Sequence, residues 1–252
     1  MRTSILMPLP QAKTNRLRAI AQKLWTETPK ALVAIAHPDD AEITFGATIL
    51  RLVNKGWRVY ILVATNGQNA CTDNNLSSSS VIKTRRAEQI KAAKIAGVSD
   101  VFFLKFPDTN LEFHKRKLKE RVTYYIRKIK PHSLYTFDPT TFYFHHKGHS
   151  LNNTITHPDH RAIGDASLSA VYYGSPFPRV YPEHKRKGLL PWLVKEVFLG
   201  ESNYPNFQFN ERPYIARKRK LIQVYSSQAG ISLTKSALKK EGGSLRLIRP
   251  YL

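Results

Sequence analysis

Cysteine occurs once in this chain, at Cys71. A single thiol excludes an internal disulfide framework and any Cys-rich structural zinc site, and it fits a reducing compartment. Acidic residues are scarce as well: 18 Asp plus Glu stand against 40 Lys plus Arg, for a formal charge of +22. That imbalance bears on partners, favouring anionic substrates, nucleic acid or an acidic membrane surface, and says nothing about fold. Long hydrophobic runs are missing too, and nothing approaches the ~18 apolar residues of a membrane span. Met1 to Pro10 carries one Arg and a short apolar stretch, Ile5-Leu6-Met7, broken by Pro8 and Pro10. This is too short for a secretory signal. The expectation is a cytoplasmic protein, with peripheral contact at the inner membrane face as the variant that the charge suggests.

What is present is globular. Hydrophobic content of 42% argues against a disordered basic tail, and 252 residues can bury a substantial core in one domain. The chain is organised around residues 31–42, Ala-Leu-Val-Ala-Ile-Ala-His-Pro-Asp-Asp-Ala-Glu. An apolar run of this length predicts a strand buried on both faces, ended by Pro38 and followed by a helix from Glu42 to Lys55. Further strands are expected over 58–65, 101–106 and 133–137. Helices are expected over 83–96, 115–130 and 161–173, and residues 68–80 read as a polar loop. Residues 11–27 place Leu17, Ile20, Ala21 and Leu24 at helical spacing among basic residues, as in a packed edge helix or an interfacial one. A late strand (194–199) and a late helix (214–227) follow, and no structure is assigned beyond Thr234.

Strands alternating with helices indicate βαβ units, hence an α/β, Rossmann-like, mostly parallel sheet with helices on both faces. Each strand empties into a polar turn: His37-Pro38-Asp39-Asp40, Asn66-Gly67, Pro107-Asp108, Asp138-Pro139. In a parallel sheet these turns share the edge at the carboxyl ends of the strands, where such folds place their sites.

The first turn crowds three carboxylates and an imidazole, and such crowding calls for positive charge, usually a metal. His37 and Asp40 can point at one ion across the strand-to-helix turn. His157 and His160 share one face of a later helix start, so one of them can complete a two-His, one-carboxylate set. Asp39 is then free beside the ion, where a general base belongs. A lone Asp-Asp at a helix start is usually just a cap, and a lone His-x-x-His is more often a surface or core pair than a ligand set. Two His-Pro-Asp clusters at helix starts are much rarer by chance. His145, His146 and His149 have no fixed spacing to an ion and read as loop residues.

At these residues the sequence resembles the LmbE-like (PIG-L) family of N-acetylglucosaminyl deacetylases. Residues 36–42 resemble the family's first motif and His157-Pro158-Asp159-His160 its second. Thr65-Asn66-Gly67, Arg85-Arg86-Ala87-Glu88, Phe106-Pro107-Asp108-Thr109-Asn110-Leu111 and Ser227-Gln228 follow the family's order. The resemblance implies a divalent metal, normally zinc (the set also suits Fe2+), and hydrolysis of an N-acetyl group from an amino-sugar conjugate. Carried over by position, His37, Asp40 and His160 hold the metal, Asp39 is the general base and His157 helps stabilise the oxyanion. Arg85 and Asp108 contact the sugar or its substituent, and Asp159 supports a neighbouring His from behind. Where some relatives have a tyrosine two residues before the second motif, this chain has Ile155; Tyr143 is the candidate replacement.

The expected organisation is an N-terminal amphipathic segment (1–30), a deacetylase domain (31–228) and a basic C-terminal segment (229–252). The competing readings are a metal-dependent hydrolase of another amide substrate and a basic binder of nucleic acid or anionic glycan with a structural metal. Structural zinc sites are usually four-ligand and Cys-rich, whereas this set has an extra base and an extra His, which argues against nucleic acid as the partner.

Overall fold

Strand β1 (Lys30–Ile35) holds the middle of the sheet, and residues Ala31 to Ala36 have no exposed surface at all. The computed structural model describes residues 28–70, 75–143, 154–228 and 243–250. The expected helix over 11–27, Cys71 and His145, His146 and His149 lie outside the described residues. Helix α1 (Asp40–Asn54) follows β1, then β2 (Arg58–Thr65), α2 (Ser78–Ala96), β3 (Asp100–Phe106), α3 (Lys115–Ile129) and β4 (Ser133–Phe137). Helix α4 (Pro158–Ser169) continues as a wide π turn over Ala170–Gly174. A short α5 (Glu183–Arg186) leads to β5 (Glu196–Gly200), β6 (Phe207–Phe209), α6 (Ile215–Ile222) and β7 (Gly243–Ile248).

The sheet order is β3-β2-β1-β4-β5-β7-β6. The first five strands pair in parallel, while β7 runs antiparallel to β5 and β6 antiparallel to β7. Helices α1, α2 and α6 pack together as one layer, and α3, α4 and the π turn as another. The strand order reverses between β1 and β4, so the crevice beyond their carboxyl ends is the topological switch point. The Phe45 ring of α1 lies 6.1 Å, centroid to centroid, from each of the Tyr135 and Phe137 rings of β4.

The structure differs from the expectation at three places. Helix α2 begins inside the stretch read as loop: Ser77 caps it, its Oγ accepting from Ser80 N at 3.3 Å, so serines that look like loop composition are a helix start. The late helix is shorter, ending at Ile222 before a single turn over Ser226–Gln228. The sheet also extends past residue 228, because β7 joins it. No helix among the described residues is long and apolar enough to cross a membrane.

Gly164 sets how closely α4 approaches the sheet. A Cβ there would lie 2.4 Å from the Phe137 carbonyl oxygen, so only glycine lets the helix carrying His157 and His160 press against β4.

Candidate metal and hydrolytic site

The turns after β1 and β3 and the start of α4 bring seven of the eight expected side chains together, and Arg85 reaches them from α2. Pro38 ends β1, and Asp39 starts α1 from φ 105°, a left-handed conformation unusual for a residue with a Cβ. Asp39 occupies the cap position, yet its side chain caps nothing. Its Oδ2 instead accepts from Arg85 Nη2 at 2.9 Å. Asp40 folds back, its Oδ2 accepting from His37 N at 2.7 Å. A cap accounts for neither carboxylate.

Asp40 lies between two imidazoles. Its Oδ2 is 3.3 Å from His37 Nδ1 and its Oδ1 is 3.2 Å from His160 Nε2. Two ligands bound at about 2.0–2.1 Å to one tetrahedral ion stand roughly 3.4 Å apart, so these spacings fit a shared cation. The other nitrogen of His160 settles which of its atoms is free to ligate. Nδ1 is 2.9 Å from Glu201 Oε2, and a carboxylate can only accept, so Nδ1 keeps a proton; Nε2, which faces Asp40 Oδ1, is the atom that would exchange its proton for a cation. The ring itself stacks on Phe137, with centroids 3.9 Å apart.

His157 is arranged the opposite way. Its Nδ1 accepts from Asp159 N at 3.1 Å, which puts the ring proton on Nε2 and makes that atom a donor. Sequence spacing left open which of the two histidines completes a ligand set; the atoms that face their second nitrogens favour His160. His37 and His157 meet edge to face at 4.5 Å between centroids.

On the far side of His37, Nε2 is 3.0 Å from Asp108 Oδ1 and 3.4 Å from Asp159 Oδ2. Neither oxygen lies along the N–H direction, and the atom is buried without a hydrogen-bond partner. Asp159 is itself held by backbone, accepting from Thr109 N at 2.8 Å and Leu111 N at 3.0 Å. Asp108 is 4% exposed, and its Oδ2 accepts from Asn69 N at 3.1 Å. The guanidinium of Arg85 is 1% exposed and donates to Gly67 O (2.9 Å) and Pro38 O (2.5 Å) as well as to Asp39. Arg85 therefore lies behind Asp39, as a clamp on it.

Electrostatics follow from this packing. Burial opposes charge on His37 and His160, but the carboxylates around them prevail: His37 is held well above the usual imidazole range and His160 is pushed up to about 9. Burial would also raise Asp40, yet the two imidazoles hold it well below the ordinary carboxylate value. Burial pushes Asp39 up to about 7, with Arg85 pulling the other way. His157 is lowered by burial and by its two neighbouring imidazoles. The carboxylates thus draw positive charge between His37 and His160, which two protons or one divalent cation can supply.

Three clusters among the described residues have metal-ligand composition: His37/Asp40/His160, His37/His157/Asp159 and Glu120/Glu183/His184. The tautomer of His157 weighs against the second. In the third, Arg127 Nη1 donates to His184 Nδ1 at 3.2 Å, so His184 Nε2 bears the proton and faces Glu120 Oε1 at 2.8 Å. That cluster belongs to a structural hub: the buried Arg127 also donates to the carbonyls of Gly174, Ser175, Phe177, Val180 and Tyr181.

Sequence reasoning did not find Glu201. It directly follows β5, and the rule that drew attention to the other strand-end carboxylates applies to it equally. Gln89 and Tyr225, both buried and linked to Glu42, were missed as well. Tyr143 pairs with Ile155 in an isolated antiparallel bridge, so the tyrosine stands across from the position where some relatives carry one.

Sheet order and pocket together define a class: doubly wound α/β proteins with a His-carboxylate cluster at the switch point. The chain belongs to the PIG-L family, whose description is GlcNAc-PI de-N-acetylase and whose match spans residues 32–171. It is similar to the diacetylchitobiose deacetylase of Thermococcus kodakarensis, 29% identical over 204 residues, which cover 81% of this chain and 72% of that protein. A probable N-acetyl-alpha-D-glucosaminyl L-malate deacetylase 2 of Bacillus anthracis is 23% identical over 216 residues, 84% of this chain and 87% of its own. The structure of N,N'-diacetylchitobiose deacetylase from Pyrococcus horikoshii, complexed with its inhibitor, superposes with a TM-score of 0.78 at 24% identity. It covers 98% of this chain and 96% of that one, which establishes the shared fold.

Proposed function

We propose that this protein is a metal-dependent de-N-acetylase that hydrolyses the acetamide of an N-acetylglucosamine-type conjugate. The observation that carries the reading is Asp40 between His37 Nδ1 and His160 Nε2, with Asp39 beside this set and turned to Arg85 instead of to either imidazole. Family membership and the activities for which the relatives are named support the amino-sugar substrate.

His37, Asp40 and His160 would hold the ion, zinc or ferrous iron, which when bound would supply Lewis acidity and make water a stronger acid. The chain's own groups do the rest. Asp39 takes the proton of the attacking water and returns it to the departing amine, so that amide cleavage yields acetate and free amine in balance. Arg85 keeps that carboxylate aimed. His157, neutral and with its proton on Nε2, donates to the carbonyl oxygen as negative charge develops there. Asp108 and Asp159 set negative charge 3.0 and 3.4 Å from His37 Nε2, and Asp108 is also the group proposed to meet a sugar substituent.

The charge of +22 supports an anionic or membrane-borne conjugate handled by a protein peripheral to the inner face of a membrane. Helix α3 brings Lys115, Arg116 and Lys117 to the surface, and Lys185, Arg186 and Lys187 are exposed as well. Such steering weakens with salt, so kcat/KM for an anionic conjugate should fall with ionic strength while that for a neutral one holds.

The test is amine release from a panel of N-acetylglucosamine conjugates with added zinc or ferrous iron, alongside Asp39→Ala. Turnover that is lost in the variant while metal is retained supports the reading. Metal-loaded protein releasing no amine from any conjugate defeats it.

A further inference from the structure

The strained backbone of Asp39 is over-determined by its neighbours. Its carbonyl accepts from Glu42 N and Ile43 N, both at 3.0 Å, and Arg85 grips the preceding carbonyl and the side chain. A third restraint leads away from the site. Asp39 N donates to Gln89 Oε1 at 3.2 Å, Gln89 Nε2 donates to Glu42 Oε1 at 3.0 Å, and Tyr225 OH donates to Glu42 Oε2 at 2.6 Å. Gln89 and Glu42 have no exposed surface and Tyr225 is 4% exposed.

We infer that Tyr225, Glu42 and Gln89 form a positioning relay whose end point is the Asp39 amide, holding that residue in the backbone conformation that aims its carboxylate. The inference rests on the reading of Asp39 as the base. Each link fixes the next. The Asp39 amide can only donate, so Gln89 must turn its oxygen toward Asp39 and its NH2 toward Glu42. A buried polar chain of this kind is costly unless every member is satisfied, and apolar side chains would fill the same space without that cost. Its far end is anchored by the late segment: Glu88 accepts from Ser226 Oγ (3.1 Å), Ser227 N (2.9 Å) and Ser227 Oγ (2.6 Å), and Gln228 Nε2 donates to Ala70 O. This gives the Ser227-Gln228 stretch a purpose, since it seats Tyr225 against α2. Persisting strain at one residue requires such over-determination.

The experiment compares wild type, Asp39→Ala, Gln89→Met, Tyr225→Phe and the double exchange Gln89→Glu with Glu42→Gln. Three readouts are taken: amine release, bound metal, and hydrogen exchange of the Asp39 amide by NMR. Gln89→Met keeps the side chain's length and removes the acceptor. The Asp39 amide should then exchange faster, and kcat should fall about 10²-fold with KM within about twofold and metal content unchanged. Tyr225→Phe should move the first two quantities the same way by less, and it carries the test if Gln89→Met does not fold. The double exchange keeps an acceptor at 89 and a donor at 42, and should recover the amide protection. An Asp39 amide equally protected in Gln89→Met and Tyr225→Phe overturns the relay whatever the activity. So does lost protection with undiminished kcat. If Asp39→Ala keeps turnover, the base assignment falls instead, and the exchange data still decide the relay.

Discussion

His160 Nδ1 lies 2.9 Å from Glu201 Oε2, and this contact makes the opposite nitrogen of the ring available to a cation. Carboxylates behind ligating histidines commonly change metal affinity by about 10–100-fold. Glu201→Ala should therefore weaken zinc binding by that factor, read by competition with a chromophoric chelator. Glu201→Gln should lose less, because its amide oxygen still accepts from Nδ1. Unchanged affinity in both variants would remove Glu201 from the site.

The two histidines of the second motif should separate cleanly. His160→Ala should lose the metal and the activity together. His157→Ala should keep the metal and lose about 10²–10³-fold in kcat, the usual cost of one missing oxyanion donor. Metal analysis beside steady-state kinetics checks both, and metal lost from His157→Ala would reverse the assignment made from the tautomers.

Metal should also stabilise the fold. An ion that binds only the native protein adds about 2.7 kcal/mol at a hundred times its dissociation constant. A rise in Tm on adding zinc or ferrous iron, reversed by chelator, should appear in wild type and vanish in Asp40→Asn. An equal rise in both would place the ion elsewhere.

Arg127 offers a prediction remote from catalysis. It is 2% exposed and donates to five backbone carbonyls around the π turn. Arg127→Met leaves these acceptors without their donor, and should lower the unfolding free energy by about 3 kcal/mol or more. Urea denaturation should show a lower midpoint at unchanged slope. A midpoint within error of wild type would mean that the carbonyls find other partners.

Much of this was legible in the sequence for identifiable reasons. Strand β1 is buried on both faces and so reads as an unbroken apolar run, and Pro38 marks its end. His37 and Asp108 could be expected together because a parallel sheet puts all its strand ends on one edge, whereas His160 was flagged only by the second His-Pro-Asp cluster at a helix start. The difference between His157 and His160 was not legible, since both share one helix face and only their second nitrogens distinguish them. Glu201 directly follows β5 and could have been found by the strand-end rule, but nothing in the sequence pairs it with His160. Arg85 could be noticed by its motif, but its burial behind Asp39 depends on how α2 packs. Ser77 to Ser80 show how a cap and a loop share composition, and β7 was obscured because a strand carrying Arg246 at the sheet's antiparallel side lacks the long apolar signature of β1.

The reversal of strand order between β1 and β4 has a consequence for biogenesis. His37 arrives early in synthesis and His160 late, and the crevice that unites them does not exist until α4 has docked through Gly164. A chain in which α4 has not docked therefore does not bring the three proposed ligands together, so on the metal reading bound ion would report completed folding.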